Sequence, residues 1–175
     1  MRSFFPLLSV SLLVFSGTAF GQISVIGGFD ARACFIEAVN DGSDSSPCDK
    51  AIESKQVLGR DLAATYVNRA VVRTNAGRYE AALADLDRAE ALRPDLGEIY
   101  ASRGNIYFFQ SNFEDALAQY DRGIAAGMKM LHAAHYDRGL ALEQLGRIEE
   151  AKEAYRQSIA IAPEFDAAKV RLSMH

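Results

Sequence analysis

Few residues in this chain have the type and spacing that chemistry requires. Met128, Met130, His132 and His135 fall within eight residues, and thioethers with imidazoles suit copper(I). His132 and His135 are three apart, so a helix would place them on one face. A structural reading competes: the methionines fill an irregular junction, and His135 packs as an aromatic would. Cys34 and Cys48 are the two cysteines, with thirteen residues between them. That spacing is not a zinc or redox motif. In an oxidising compartment the pair favours a disulfide, with two buried thiols as the alternative. No nucleophile–base constellation, Gly-rich phosphate loop or helical His-Glu-x-x-His is visible. The many acids stand at solvent-facing helical spacings beside Arg and Lys. The chain therefore reads as a non-enzyme, with no catalytic residue and no cofactor.

The compartment is read from the first 21 residues. Arg2 is followed by an almost wholly apolar run, Phe4 to Phe15, and then by small residues around Ser16 to Ala19. Ala19-Phe20-Gly21 fits a signal-peptide cleavage site, and the run is too short to span a bilayer. Export to a periplasm or beyond is expected, without stable membrane insertion. The chain's formal charge is −4, and losing Arg2 takes it to −5. Basic residues are spread evenly, which argues against nucleic acid as the partner.

The elements that would position any site repeat. Tyr66-x-x-Arg69-Ala70 recurs as Tyr100-x-x-Arg103-Gly104 and His135-x-x-Arg138-Gly139, at offsets of 34 and 35 residues. Tyr79-x-x-Ala82-x-x-x-Leu86 recurs as Phe113-x-x-Ala116-x-x-x-Tyr120 and Ile148-x-x-Ala151-x-x-x-Tyr155. Such a period marks a helical solenoid, whose units bury their apolar faces against one another. Each unit reads as two amphipathic helices: about 61–76 and 79–92, then 98–110 and 113–126, then 133–145 and 148–160. Small residues at 70, 104 and 139, and at 82, 116 and 151, let helix axes approach closely.

Gly77-x-Tyr79-x-x-Ala82, Ala89-x-x-Leu92-x-Pro94 and Gly146-x-Ile148-x-x-Ala151 resemble the tetratricopeptide repeat family. The resemblance implies an all-α solenoid of helical hairpins, with three repeats over 61–163. A degenerate hairpin over 22–60 would cap one end, its helices near 29–39 and 48–54, with one cysteine on each. A helix over 164–175 would cap the other end. Unit two departs from the pattern: Gly127-Met128-Lys129-Met130 stands where the closing proline would be. The resemblance also implies a concave groove lined by Ala64, Val67, Val71, Ala101, Asn105, Tyr136 and Leu140, mainly apolar. Phe108 and Phe109 border it, where the other units carry Thr74-Asn75 and Glu143-Gln144. The repeat does not need aromatics there, so they read as ligand anchors. The alternative is that they pack under the Met128–Met130 junction.

Charges vary in step along the units. Asp49, Asp87 and Asp121 share one place in successive second helices, and Arg69, Arg103 and Arg138 share one place in the first helix that follows. At the last junction both change together, to Arg156 and Leu172. Pairing across junctions then leaves no like-charge contact, which predicts Asp49–Arg69, Asp87–Arg103 and Asp121–Arg138 ion pairs at comparable depth. The functional expectation is an exported adaptor that binds a protein or peptide in its groove. Metal handling through the Met/His cluster and a structural role in an envelope assembly are the alternatives.

Overall fold

The structure, a computed structural model, describes residues 28–175; the expected signal peptide lies outside the described residues. These residues form an all-α chain: α1 (Phe29–Val39), α2 (Ser46–Glu53), α3 (Gly59–Asn75), α4 (Tyr79–Leu92), α5 (Gly97–Phe109), α6 (Phe113–Ala125), α7 (Leu131–Gln144), α8 (Ile148–Ile161) and α9 (Asp166–Ser173). None of them is long and apolar enough to cross a membrane. Helices of this length are marginal alone in water, so their stability comes from packing.

The pairs α3/α4, α5/α6 and α7/α8 stack so that α3 meets α5 and α5 meets α7. Ten of the 17 residues of α3 are buried, against four of the 14 in α4. In α5 the share is ten of 13, against four of 13 in α6. First helices therefore form the inner layer, and second helices cover it with one face wet.

Close approach within each pair follows from the small residues. A methyl added at Gly104 would lie 2.6 Å from Tyr120 Cε1, and one at Gly139 would collide with the Tyr155 ring. Unit one solves the same contact with Ala70 against Leu86, both fully buried. The two positions thus exchange volume: glycine where the partner is tyrosine, alanine where it is leucine.

The turns after the first helices need a left-handed residue. Gly77 and Gly146 supply it, at φ 70° and 72°, and the equivalent residue of unit two is Ser111, at φ 60°. At the second junction Met128 stands in for the missing proline. It is 3% exposed and packs with Ala101 and Ala134. Gly97 is required beneath it, since a Cβ there would meet Gly123 O at 2.8 Å and Met128 Cβ at 2.9 Å.

Both ends are closed. Cys34 and Cys48 are disulfide-bonded, with Cα atoms 4.6 Å apart. The bond joins α1 to α2 and sits fully buried against Val71 and Val72 of α3. At the other end Phe165 packs edge-on to Tyr136 and His132, and Ala168 of α9 is buried.

Two outcomes are expected. Gly139→Ala should lower stability in urea unfolding by ~0–2 kcal/mol, an overpacking cost of ~1–3 less ~1 regained from helix propensity. Tyr155→Leu in the same chain should recover part of it, because unit one shows that alanine fits leucine; simple addition of the two losses would refute the coupling. For the disulfide, the protein purified without reductant should resist alkylation at Cys34 and Cys48. Replacing both cysteines by serine should cost ~2–4 kcal/mol in thermal unfolding.

Candidate functional site

Phe108 and Phe109 end α5 and face an open depression that they line with Ser111, Phe113 and Gln144. Phe109 is 40% exposed, while Phe108 is half-buried and edge-on to Phe113 at 5.3 Å between centroids. Phe108 packs with the C-terminal core cluster, which also holds Tyr120 and Leu140, rather than under Met128. Ser111 holds the tight turn beside them: its N–H donates to Phe108 O at 2.9 Å, and Asn112 N–H to Tyr107 O at 2.9 Å. A serine at positive φ, where the sister units carry glycine, places a hydroxyl residue in the depression at some backbone cost.

The other groove positions are not an open strip. Val67, Val71, Ala101, Asn105, Tyr136 and Leu140 are all buried, as is Ala64. Val71 lies under the disulfide, Ala101 against Met128 and Ala134, and Tyr136 between Tyr155 and Phe165. Leu140 joins the C-terminal cluster, and Asn105 Oδ1 accepts the Tyr120 hydroxyl at 2.8 Å. The expectation of a freely exposed apolar surface is corrected accordingly. In each case the side chain has a partner from another helix that spacing along one helix does not reveal.

The inner layer is also more polar than expected. Glu98, Ser102, Asn105 and Asp137 are each buried. Glu98 accepts the Lys129 N–H at 3.4 Å. Ser102 Oγ, Asn105 Nδ2 and Asp137 Oδ1 are buried without a hydrogen-bond partner among the described residues. Burial pushes the Asp137 carboxyl well above the usual range. The Tyr120 phenol is raised too, by burial and then by the charge of Asp137.

The Met/His residues are engaged separately. Met128 belongs to the second junction, the His132 ring rests on Phe165 at 5.2 Å, and the His132 carbonyl accepts Ser158 Oγ at 2.7 Å. His135 is pushed down by burial and by Arg138. No group of three His, Cys, Asp or Glu placed to hold a metal occurs among the described residues.

Ion pairs run along the stack. Arg69 meets Asp49 at 2.7 Å, Arg103 meets Asp87 at 2.9 Å, and Arg138 meets Asp121 at 2.7 Å. Their depth is not comparable: the Asp49, Asp87 and Asp121 side chains are 36%, 73% and 53% exposed. The deep pair is a different one, within unit one. Asp85, fully buried, takes Arg69 at 2.7 Å, Arg73 at 2.7 Å and Arg88 at 2.8 Å. Spacing carried a signal for it. Arg73 and Asp85 occur together in unit one, and their counterparts, Tyr107 with Gln119 and Leu142 with Ala154, change together. The guanidinium of Arg122 also stacks on Tyr100 at 4.1 Å, and that of Arg88 lies over Tyr66 at 6.0 Å.

Two models of the family described as Tetratricopeptide repeat match the chain, over residues 63–96 and 101–164. Among solved structures, the first such domain of Spaghetti, bound to an HSP90 peptide, is similar with a TM-score of 0.63. Its identity is 20%, covering 67% of this chain and 94% of that one. YrrB, described as having an unusual peptide-binding site, has a TM-score of 0.64 at 23% identity, covering 75% of this chain and 65% of that one. MamA has a TM-score of 0.62 at 24% identity and covers 81% of each chain. At these identities the likeness is one of fold.

Asp85 is the charge whose loss should be felt most. Asp85→Ala removes the one fully buried carboxylate of this network, leaving Arg69 and Arg73 only Asp49, and should cost ~3–5 kcal/mol in urea unfolding. Asp121→Ala, at a wet junction, should cost ~0–1 kcal/mol. Equal effects would mean that depth does not govern these pairs.

Proposed function

Because this chain belongs to the tetratricopeptide repeat family, we propose that it is an exported, non-catalytic adaptor that binds a peptide segment of a partner protein. The observation that carries this reading is the aromatic depression at the end of α5. An exposed Phe109 beside a half-buried Phe108, in a repeat that needs neither, matches the anchor chemistry of interfaces. Large rings bury much area for few rotatable bonds, and Phe113 holds Phe108 in place from the next helix. Spaghetti's domain carries an HSP90 peptide and YrrB has a peptide-binding site, so the same scaffold performs this task elsewhere.

Export to a bacterial periplasm is supported by the Arg2 start, the Phe4–Phe15 run and the small residues that follow. A buried disulfide is in keeping with an oxidising compartment. The absence of a nucleophile–base pair in the sequence supports a binding role over catalysis.

Phe109→Ala should abolish retention of the partner captured from the cell envelope while melting changes little, because the ring is already partly wet. Phe108→Ala should also weaken capture but cost ~1–3 kcal/mol of stability, since it removes packing on Phe113. Undiminished capture by the double variant would reject this site.

A further inference from the structure

One ring on each inner helix stands opposite one residue of the outer helix, and the three units differ there. Tyr66, Tyr100 and His135 share one place in α3, α5 and α7, and Arg88, Arg122 and Gln157 share one place in α4, α6 and α8. In units one and two a guanidinium lies over the ring: Arg88 at 6.0 Å from the Tyr66 centroid, and Arg122 at 4.1 Å from that of Tyr100. In unit three both partners change together. A guanidinium over a neutral phenol is favourable, but over an imidazole that takes a proton it becomes a like-charge contact. Glutamine in place of arginine removes that contact, so unit three admits a charge change that its sisters do not face.

His135 lies where units two and three join, since α7 packs on α5, α6 and α8. The charged groups that face the ring are Arg138, one turn along α7, and Asp121 of α6, which pair with each other at 2.7 Å. From α8 comes the neutral Gln157, whose Nε2 donates to Glu153 Oε1 at 3.4 Å. The two charges of α5 are engaged elsewhere, Glu98 by the Lys129 N–H and Arg103 by Asp87 and Glu90. His135 Nδ1 is buried without a hydrogen-bond partner among the described residues. Protonated, it becomes a buried cationic donor with no acceptor, which is the costlier state. Burial first, and then Arg138, hold the imidazole below its ordinary value of 6.5, while Asp121 and Gln157 pull the other way.

We infer that His135 makes the joint between units two and three pH-sensitive: the joint holds at neutral pH and loosens in acid, and the aromatic depression changes shape with it. The depression spans this joint, because Gln144 of α7 lines it together with Phe108, Phe109 and Phe113 of unit two. A shift of α7 against α5 and α6 therefore moves one wall against the other. Protonated His135 also competes with Arg138 for Asp121, the carboxylate that faces both. The folded chain binds this proton less readily than the unfolded chain does. The stabilising contribution of neutral His135 is thus complete above 6.5 and is lost as the pH falls from there through the lower folded value. Asp137, two places along α7, acts in the opposite sense, since burial raises its carboxyl. Replacing only the His135 pair separates the two. What the change does to a bound segment rests on the peptide reading above, whereas the change itself needs no ligand.

The test is urea unfolding of the purified protein at a series of pH values, beside His135→Tyr with Gln157→Arg, which copies units one and two. The unaltered chain should lose unfolding midpoint between about pH 7 and about pH 5, and the double variant should lose clearly less. Gln157→Glu alone should reduce that loss as well, because a carboxylate beside the ring favours its protonated form. Should the double variant not fold, the imidazole signal of His135 in the unaltered protein decides by NMR: titration below 6.5 supports the joint, and titration at or above it overturns the joint. The chain has no tryptophan, so Phe109→Trp gives the depression a single reporter. Its emission should shift in acid with the same midpoint as the His135 signal, and the shift should vanish when the His135 pair is replaced too. Parallel pH profiles of the unaltered chain and the double variant overturn the inference. An acid loss of stability with unmoved tryptophan emission overturns its reach to the depression. Neither outcome bears on the peptide reading, which fails on undiminished capture by the Phe108 and Phe109 double variant.

Discussion

The contact between small residues on inner helices and large ones on outer helices sets everything else in this fold. Where Gly104 faces Tyr120 and Gly139 faces Tyr155, backbone and ring share a space that admits no methyl group. Helices of 13 or 14 residues hold together only because such contacts bring them to packing distance. The spacing inside a pair then fixes how far apart successive inner helices stand, and so which side chains can meet between α3, α5 and α7. Ala70 with Leu86 reaches the same result by another division of volume.

Charge is layered on that frame by depth. Asp85 lies where water does not reach and gathers three guanidinium groups, so its network is rigid and costly to break. The junction pairs lie nearer the surface, where an ion pair adds little net stability. At the N-terminal end the disulfide packs on Val71 and Val72, and Arg73 joins Asp85 to Asp49 of α2. Unit two is the irregular one, with Met128 in place of proline after α6 and Ser111 at positive φ in the turn after α5, beside half-buried Phe108 and exposed Phe109. The aromatic depression adjoins the Ser111 turn, while the Met128 junction lies at the other end of α5, against Gly97 and Ala101.

Much of this was legible in the chain because repeats carry their own comparison. Helix pairs and small residues recur at offsets of 34 and 35, and the Asp–Arg pairs recur from junction to junction, so each unit tests a reading made on another. Asp85 with Arg73 was missed although the same comparison held the clue, since a pair that occurs once looks like two unrelated departures. The groove was misjudged in its exposure. Its positions share a face of the inner helices, but sharing a face does not say what lies over it: Val71 meets a disulfide from α1 and α2, and Tyr136 meets Phe165 from beyond α8.

By itself, then, the order of residues determined the all-α class, the number and bounds of the helices within two or three residues, and which junction would be irregular. Those properties depend on local periodicity and on steric rules that act over one or two turns. Only the tertiary structure decided that Phe108 is half-buried and Phe109 exposed, that Asp85 is the deep charge, and that Asp137 lies buried, its Oδ1 without a hydrogen-bond partner among the described residues. Each of those outcomes is set where three helices converge, and the identity of the third neighbour is written nowhere near the residue it buries.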